Sequence, residues 1–205
     1  MKRVACFLLA PVLFAGCLFR STPAPRFFVP GSAAAEGETN DDPIEPSGTS
    51  SPIQLRAVHA TAFLRERIVW RASPVEYGQY GERLWSELPA TYVKRALTAA
   101  LHRTPGLHLT DDTRAPALRV EVLAFDEVLA PTHAATVSLA ASLRDDARRR
   151  LLDRTFTAEV PIAGNDPAAM ARAMGEALDE ATAAVAAAVV AALPPPNSRQ
   201  SIVDS

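Results

Sequence analysis

The chain has 205 residues, with 21 Lys and Arg against 23 Asp and Glu, which gives a formal charge of −2 at pH 7. This length suits one ordinary domain with a hydrophobic core, and the lack of a basic surplus argues against nucleic-acid binding. The two cysteines, Cys6 and Cys17, both precede residue 18. We therefore expect a domain that is stabilised by packing, without a disulfide.

The N-terminus has the pattern of a secretory signal peptide. Lys2 and Arg3 precede an apolar run at residues 4–15, and Gly16-Cys17 follows. We predict a signal peptide at residues 1–16. A membrane helix is the competing interpretation, but the run is shorter than the roughly 20 residues that span a bilayer.

The residues around Cys17 resemble a bacterial lipobox, with Phe14 where Leu is commoner. In such a sequence the Cys is acylated and becomes the first mature residue, so we predict a covalent lipid on Cys17 and no other cofactor. Leu18, rather than Asp, follows the Cys and favours sorting to the outer membrane. An ordinary cleaved signal that leaves a free Cys remains an alternative.

Residues 17–52 are predicted to be a lipidated N-terminus with a short strand at 26–29 and an acidic linker from residue 32. Ile44 is the only large apolar residue of that linker. Such a segment cannot bury enough apolar surface to offset its ordering entropy, so we predict a disordered tether.

A folded domain is predicted at residues 53–193. Its first part alternates apolar and polar residues in strands near 53–58, 68–70 and 75–77, and Gly78 and Gly81 are expected to break the chain after them. A helix at 89–102 begins with Pro89 at its first position and carries an apolar stripe.

The second part of the domain predicts three strands and a helix. Alternation around Leu118, Val137 and Phe156 indicates an antiparallel meander, with a polar turn at residues 144–148. Asp166 and Pro167 open the last helix, which ends before a disordered tail at 194–205. The pattern predicts an α+β fold, a mainly antiparallel sheet with two helices packed on one face.

A series of residues between Leu64 and Phe125 resembles, in identity and in order along the chain, the pattern of the ABC-type transport auxiliary lipoproteins, the family of paraquat-inducible protein C. The matching positions are Leu64, Arg67, Ile68, Val69, Arg71, Val75, Tyr77, Arg83, Trp85, Glu87, Leu88, Leu118, Arg119, Val120, Val122 and Phe125. The chain departs from the family in the long acidic stretch at 32–52 and in Trp70, where many members carry another residue.

The resemblance implies a non-enzymatic lipoprotein on the periplasmic face of the cell outer membrane. Its partners would be an MCE-domain protein, a permease and an ATPase of one lipid transport system, and its role would be docking or tethering. An assembly factor of another outer-membrane machine and a periplasmic lipid hydrolase are the alternatives.

Aromatic and Arg residues around the first strands are candidates for partner binding, because such residues dominate protein interfaces. The candidates are Trp70, Arg71, Tyr77, Arg83 and Trp85. Burial in the core is the competing interpretation, above all for Trp85.

No catalytic or metal site is predicted. The four histidines, His59, His102, His108 and His133, are scattered, and no nucleophile elbow or phosphate-binding loop is present. The arginines at 148–150 could contact anionic lipid headgroups or simply flank a solvated turn.

Overall fold

The computed structural model describes residues 23–31 and 50–194. The predicted signal peptide, Cys17 and most of the predicted linker and tail lie outside these residues. The described part contains eight strands and two helices, with bounds β1 Arg26–Phe28, β2 Ser51–Ala60, β3 Arg67–Ser73, β4 Glu76–Trp85, α1 Pro89–Arg103, β5 Leu107–Leu109, β6 Ala117–Val128, β7 Ala134–Arg144, β8 Arg150–Pro161 and α2 Pro167–Ala192.

Strand β6 is the centre of the sheet. On one side it pairs antiparallel with β7, which pairs antiparallel with β8. On the other side its first half pairs parallel with β2 and its last residues pair parallel with β3. Strand β4 continues the sheet antiparallel to β3, with β1 parallel beside it, and β5 pairs with β2.

The predicted α+β class and the β6–β7–β8 meander are confirmed. The sheet is mixed, and its two long antiparallel ladders lie in the meander. The predicted turn at residues 144–148 joins β7 to β8.

Both helices pack on one face of the sheet. Helix α1 lies on β2, β5 and β6, while α2 lies on β7 and β8 and also contacts α1. The α1 stripe Val93, Leu97 and Leu101 is fully buried, as its spacing predicts. The Asp166 side chain caps α2 by accepting the Ala168 N–H at 3.0 Å.

The opposite face of the sheet carries the side chains that alternate, along each strand, with the side chains of the core. Because residues paired across strands share a face, Arg119 and its partner Ser142 lie opposite the buried pair Leu118 and Leu143. We call this the outer face. No helix in residues 23–31 and 50–194 combines the length and apolar character that a membrane crossing requires.

The expectation that Gly78 and Gly81 break the chain is wrong, because β4 runs through both to Trp85. Gly78 pairs with Trp70, and a Cβ atom there would lie 2.5 Å from Cζ2 of the Trp70 indole. The glycine is therefore a contact surface for an aromatic ring on the neighbouring strand.

A bulge near Leu123 changes the alternation of β6. Val122 pairs with Leu139 on the core face, whereas Ala124 pairs with Ser138, so one residue is inserted between them. After the bulge Phe125 points into the core, Asp126 lies on the outer face and Glu127 is again on the helix side. This shift positions Asp126 and Glu127, the acidic partners of Arg71 and Arg83.

Candidate functional site

Trp85 lies in the core, 1% exposed, where the competing interpretation placed it. Its ring meets those of Phe125 and Tyr92 in edge-to-face contacts, with centroids 5.3 and 6.3 Å away. The Tyr92 hydroxyl accepts the Glu87 N–H at 3.1 Å and lies 2.8 Å from Ser86 Oγ. These contacts fix the turn between β4 and α1.

Arg83 belongs to a buried polar cluster around Glu127, which is 4% exposed. Its Nη1 lies 3.6 Å from Glu127 Oε2, while His133 Nε2 lies 2.8 Å from Oε1. The guanidinium also stacks over the Tyr80 ring at 4.2 Å. Burial, together with the neighbouring Glu127 carboxylate, raises the pKa of Tyr80 to about 12.

Arg71 is paired on the outer face. Its Nη2 donates to Asp126 Oδ2 at 2.5 Å, and Asp126 Oδ1 accepts the Phe125 N–H at 3.1 Å. Asp126 is only 3% exposed. Within the described residues Arg71 Nε and Thr136 Oγ1 are buried without a hydrogen-bond partner.

Tyr77 is the most exposed of the five candidates, at 56%. Its ring meets Phe63, 40% exposed, with centroids 4.8 Å apart and planes at 89°. Val75, at the turn between β3 and β4, is 90% exposed. Leu129, 40% exposed, donates its N–H to the Arg71 carbonyl at 2.8 Å. We call these four apolar residues, Phe63, Val75, Tyr77 and Leu129, the hairpin patch.

Trp70 lies on β3, directly before Arg71. It is half-buried, pairs with Gly78 on β4 and with Glu127 on β6, and so lies on the helix side of the sheet. The five candidates therefore divide between the two faces. Tyr77 and Arg71 lie on the outer face, and Trp70, Arg83 and Trp85 lie on the helix side.

Sequence reasoning did not find Tyr80, Asp126, Glu127, His133 or Phe63. The available signal was the pair of adjacent acids, Asp126 and Glu127, inside a strand pattern. Neighbouring residues of a strand point to opposite faces, so one of the two acids must point toward the core. The structure adds that both are buried, Asp126 at 3% and Glu127 at 4% exposed. The described residues contain no group of three or more His, Cys, Asp or Glu able to hold a metal ion.

A family model described as "ABC-type transport auxiliary lipoprotein component" matches residues 38–186. A crystal structure of a DUF330-family protein from Xanthomonas campestris superposes with a TM-score of 0.65 at 21% identity, covering 82% of this chain and 96% of that one. A crystal structure of an uncharacterized protein superposes with a TM-score of 0.61 at 15% identity, covering 82% and 99%. These structures show the same fold. No curated protein matches the chain.

Proposed function

Because the chain belongs to the ABC-type transport auxiliary lipoprotein family, we propose that it is a docking component of an MCE-type ABC lipid transport system. It is held at the periplasmic face of the outer membrane by lipid on Cys17. Its partners are an MCE-domain protein and, through it, a permease and an ATPase. Its role is adhesion, and no bond is made or broken on it.

The hairpin patch supports a docking role. An exposed pair of aromatic rings has the composition of a protein interface, because aromatic side chains are enriched there and offer large apolar area at low entropic cost. The nearly fully exposed Val75 extends this apolar surface. Arg71, whose side chain is 40% exposed, lies at the edge of this patch. A partner that covers the apolar residues would also contact the exposed part of this side chain.

The lipid anchor is tested by labelling cells with a palmitate analogue. We expect label on the wild-type chain and none on Cys17→Ala, because Cys17 is the acylated residue of the lipobox. Fractionation of the same cells should place the wild type in the outer membrane. An unlabelled wild-type chain released into the periplasm would contradict the anchor.

Docking is tested by affinity purification of the full chain from membranes. We expect an MCE-domain protein encoded nearby to copurify with the wild type and to be lost from the double variant Phe63→Ser and Tyr77→Ser. Phe27→Ser is the matched control, because Phe27 is 63% exposed and its β4 partner, Leu84, pairs with Arg67, about 13 Å along β3 from Arg71, the partner of Tyr77.

The outcomes separate this proposal from its alternatives. Recovery of only β-barrel assembly or lipopolysaccharide components would favour an assembly factor and overturn the MCE partner. Equal recovery with the wild type and the patch variant would leave the family membership in place but remove the hairpin patch from the interface.

A further inference from the structure

An open groove of about 660 Å³ lies on the outer face, at the end of the sheet where β7 turns into β8. Its rim carries four arginines from different elements. Arg56 is at a bulge of β2, Arg119 is on β6, Arg144 ends β7, and Arg148 is in the turn. Small side chains line the rest, namely Thr113, Ala115, Ala117 and Ser142, so the long cationic side chains surround a shallow floor.

These four arginines have no carboxylate partner within the described residues. Arg56 Nε donates to Gln54 Oε1 at 3.1 Å, and Arg144 Nη1 donates to the Arg148 carbonyl at 3.3 Å. The guanidinium groups of Arg119 and Arg148 make no hydrogen bond or ion pair there. Of the other twelve arginines of the described part, six are ion-paired: Arg71, Arg83, Arg95, Arg114, Arg149 and Arg150.

The two acids at the groove do not balance this charge. Asp145 is paired with Arg149, whose Nε donates to it at 2.7 Å, and it also accepts the Arg149 backbone N–H at 2.8 Å. Asp146 accepts the neighbouring Ala147 N–H at 2.9 Å. The groove is thus a cationic site on a chain whose formal charge is −2. Such a concentration of charge attracts anions.

The residue types suit a phosphate-bearing ligand. Guanidinium groups match phosphate oxygens with paired hydrogen bonds, which an ammonium group does not, and all four cations are arginines. The lining contains no aromatic or large aliphatic side chain, so it lacks the apolar anchors that a protein interface would combine with its arginines. A small phosphate compound needs no such anchor.

We propose that this arginine groove binds a phosphate-bearing anion. A phospholipid headgroup and a free phosphate compound share that chemistry. The site is independent of the docking role and of the partner proposed above, because it lies at the other end of the outer face from the hairpin patch. It can therefore be tested on the purified chain alone.

The test is calorimetric titration of the full-length lipoprotein in micelles of an uncharged detergent. The probes are inorganic phosphate and dihexanoyl-phosphatidylglycerol below its micelle concentration, with dihexanoyl-phosphatidylcholine as the zwitterionic comparison. We expect phosphatidylglycerol to bind more tightly than phosphatidylcholine. The binding should weaken as salt is raised, because exposed charges are screened.

The double variant Arg119→Gln and Arg144→Gln should weaken binding of the anionic probes by about tenfold or more, since two charge-assisted contacts are removed. Arg95→Gln is the matched control, because it also removes one exposed guanidinium but lies on α1 and is paired with Glu87. We expect it to bind like the wild type. Circular dichroism checks that each variant is folded.

The two probes distinguish the source of the phosphate. Tighter binding of phosphatidylglycerol than of inorganic phosphate supports a lipid headgroup, and equal or tighter binding of inorganic phosphate supports a free phosphate compound. Binding of neither probe, or equal binding by the wild type and the folded double variant, would overturn the proposal. Capture of only an acidic protein by the groove would overturn it as well.

Discussion

Replacing Glu127 by Gln should destabilise the fold, because this carboxylate is the only acid in a buried cluster of the described residues with Arg83 and His133. Gln keeps the shape of the side chain but removes its charge. The Arg83 guanidinium, which stacks on Tyr80, would then lie near no compensating charge on its side of the sheet. The change therefore isolates the electrostatic part of the cluster.

The expected size follows from the exposure of the groups left behind. Removing one member of a fully buried ion pair costs about 3–5 kcal/mol. Here the Arg83 and His133 side chains are 29% and 26% exposed and can regain part of their hydration, and Arg83 lies 3.6 Å from the carboxylate, beyond hydrogen-bond length. We therefore expect a loss of about 1–3 kcal/mol in the free energy of unfolding.

This loss is measured by urea unfolding at neutral pH, followed by circular dichroism. We expect a lower midpoint concentration of urea, with an unchanged slope of the free energy of unfolding against urea concentration. Glu121→Gln is the control, because Glu121 is an exposed acid on the same strand, and it should stay within about 0.5 kcal/mol of the wild type. In a cycle with Arg83→Gln, the double variant should cost less than the sum of the single variants. Additive losses, or a Glu127→Gln variant as stable as the control, would refute the reasoning.

Two further predictions concern the same strands. Gly78→Ala places a methyl group against the Trp70 indole and should cost about 1–3 kcal/mol in urea unfolding, and Trp70→Leu in the same chain should recover part of that loss; no recovery would exclude the contact as the cause. Because the folded-state pKa of Tyr80 is about 12, above the unfolded value of 10.0, its contribution to stability is complete below pH 10 and is lost as the pH rises to about 12. Absorbance at 295 nm should show a tyrosine that ionises near pH 12 in the wild type and is missing from Tyr80→Phe; an unchanged titration would contradict the assignment.

The sequence predicted the elements whose periodicity is local. The stripe of α1, the Asp166 cap and the alternation of the meander each depend on spacing within one segment, and the structure confirms them. The fold class followed from their order. The family positions were also readable, because they combine residue identity with spacing over the strands and the turn before α1.

The sequence could not predict how the candidate side chains divide between the two faces. That division depends on the register shift of β4 between Gln79 and Leu84, and the bulge near Leu123 decides which face each acidic partner occupies. Without the bulge, Asp126 would point toward the helices and Glu127 away from them. Arg71 and Arg83, both candidates from the sequence, each have an acidic partner on a different face.

The arginine groove and the hairpin patch lie at opposite ends of the outer face. Arg119, in the groove, and Asp126, which pairs with Arg71 beside the patch, are roughly 20 Å apart along β6. Sites this far apart, with no shared contact, should respond independently to substitution. We therefore expect the groove variant to retain copurification of the transport partner, and the patch variant to retain affinity for the anionic probe. Loss of both properties in either folded variant would show that one continuous surface serves both, and that the separation argued from the strand is incorrect.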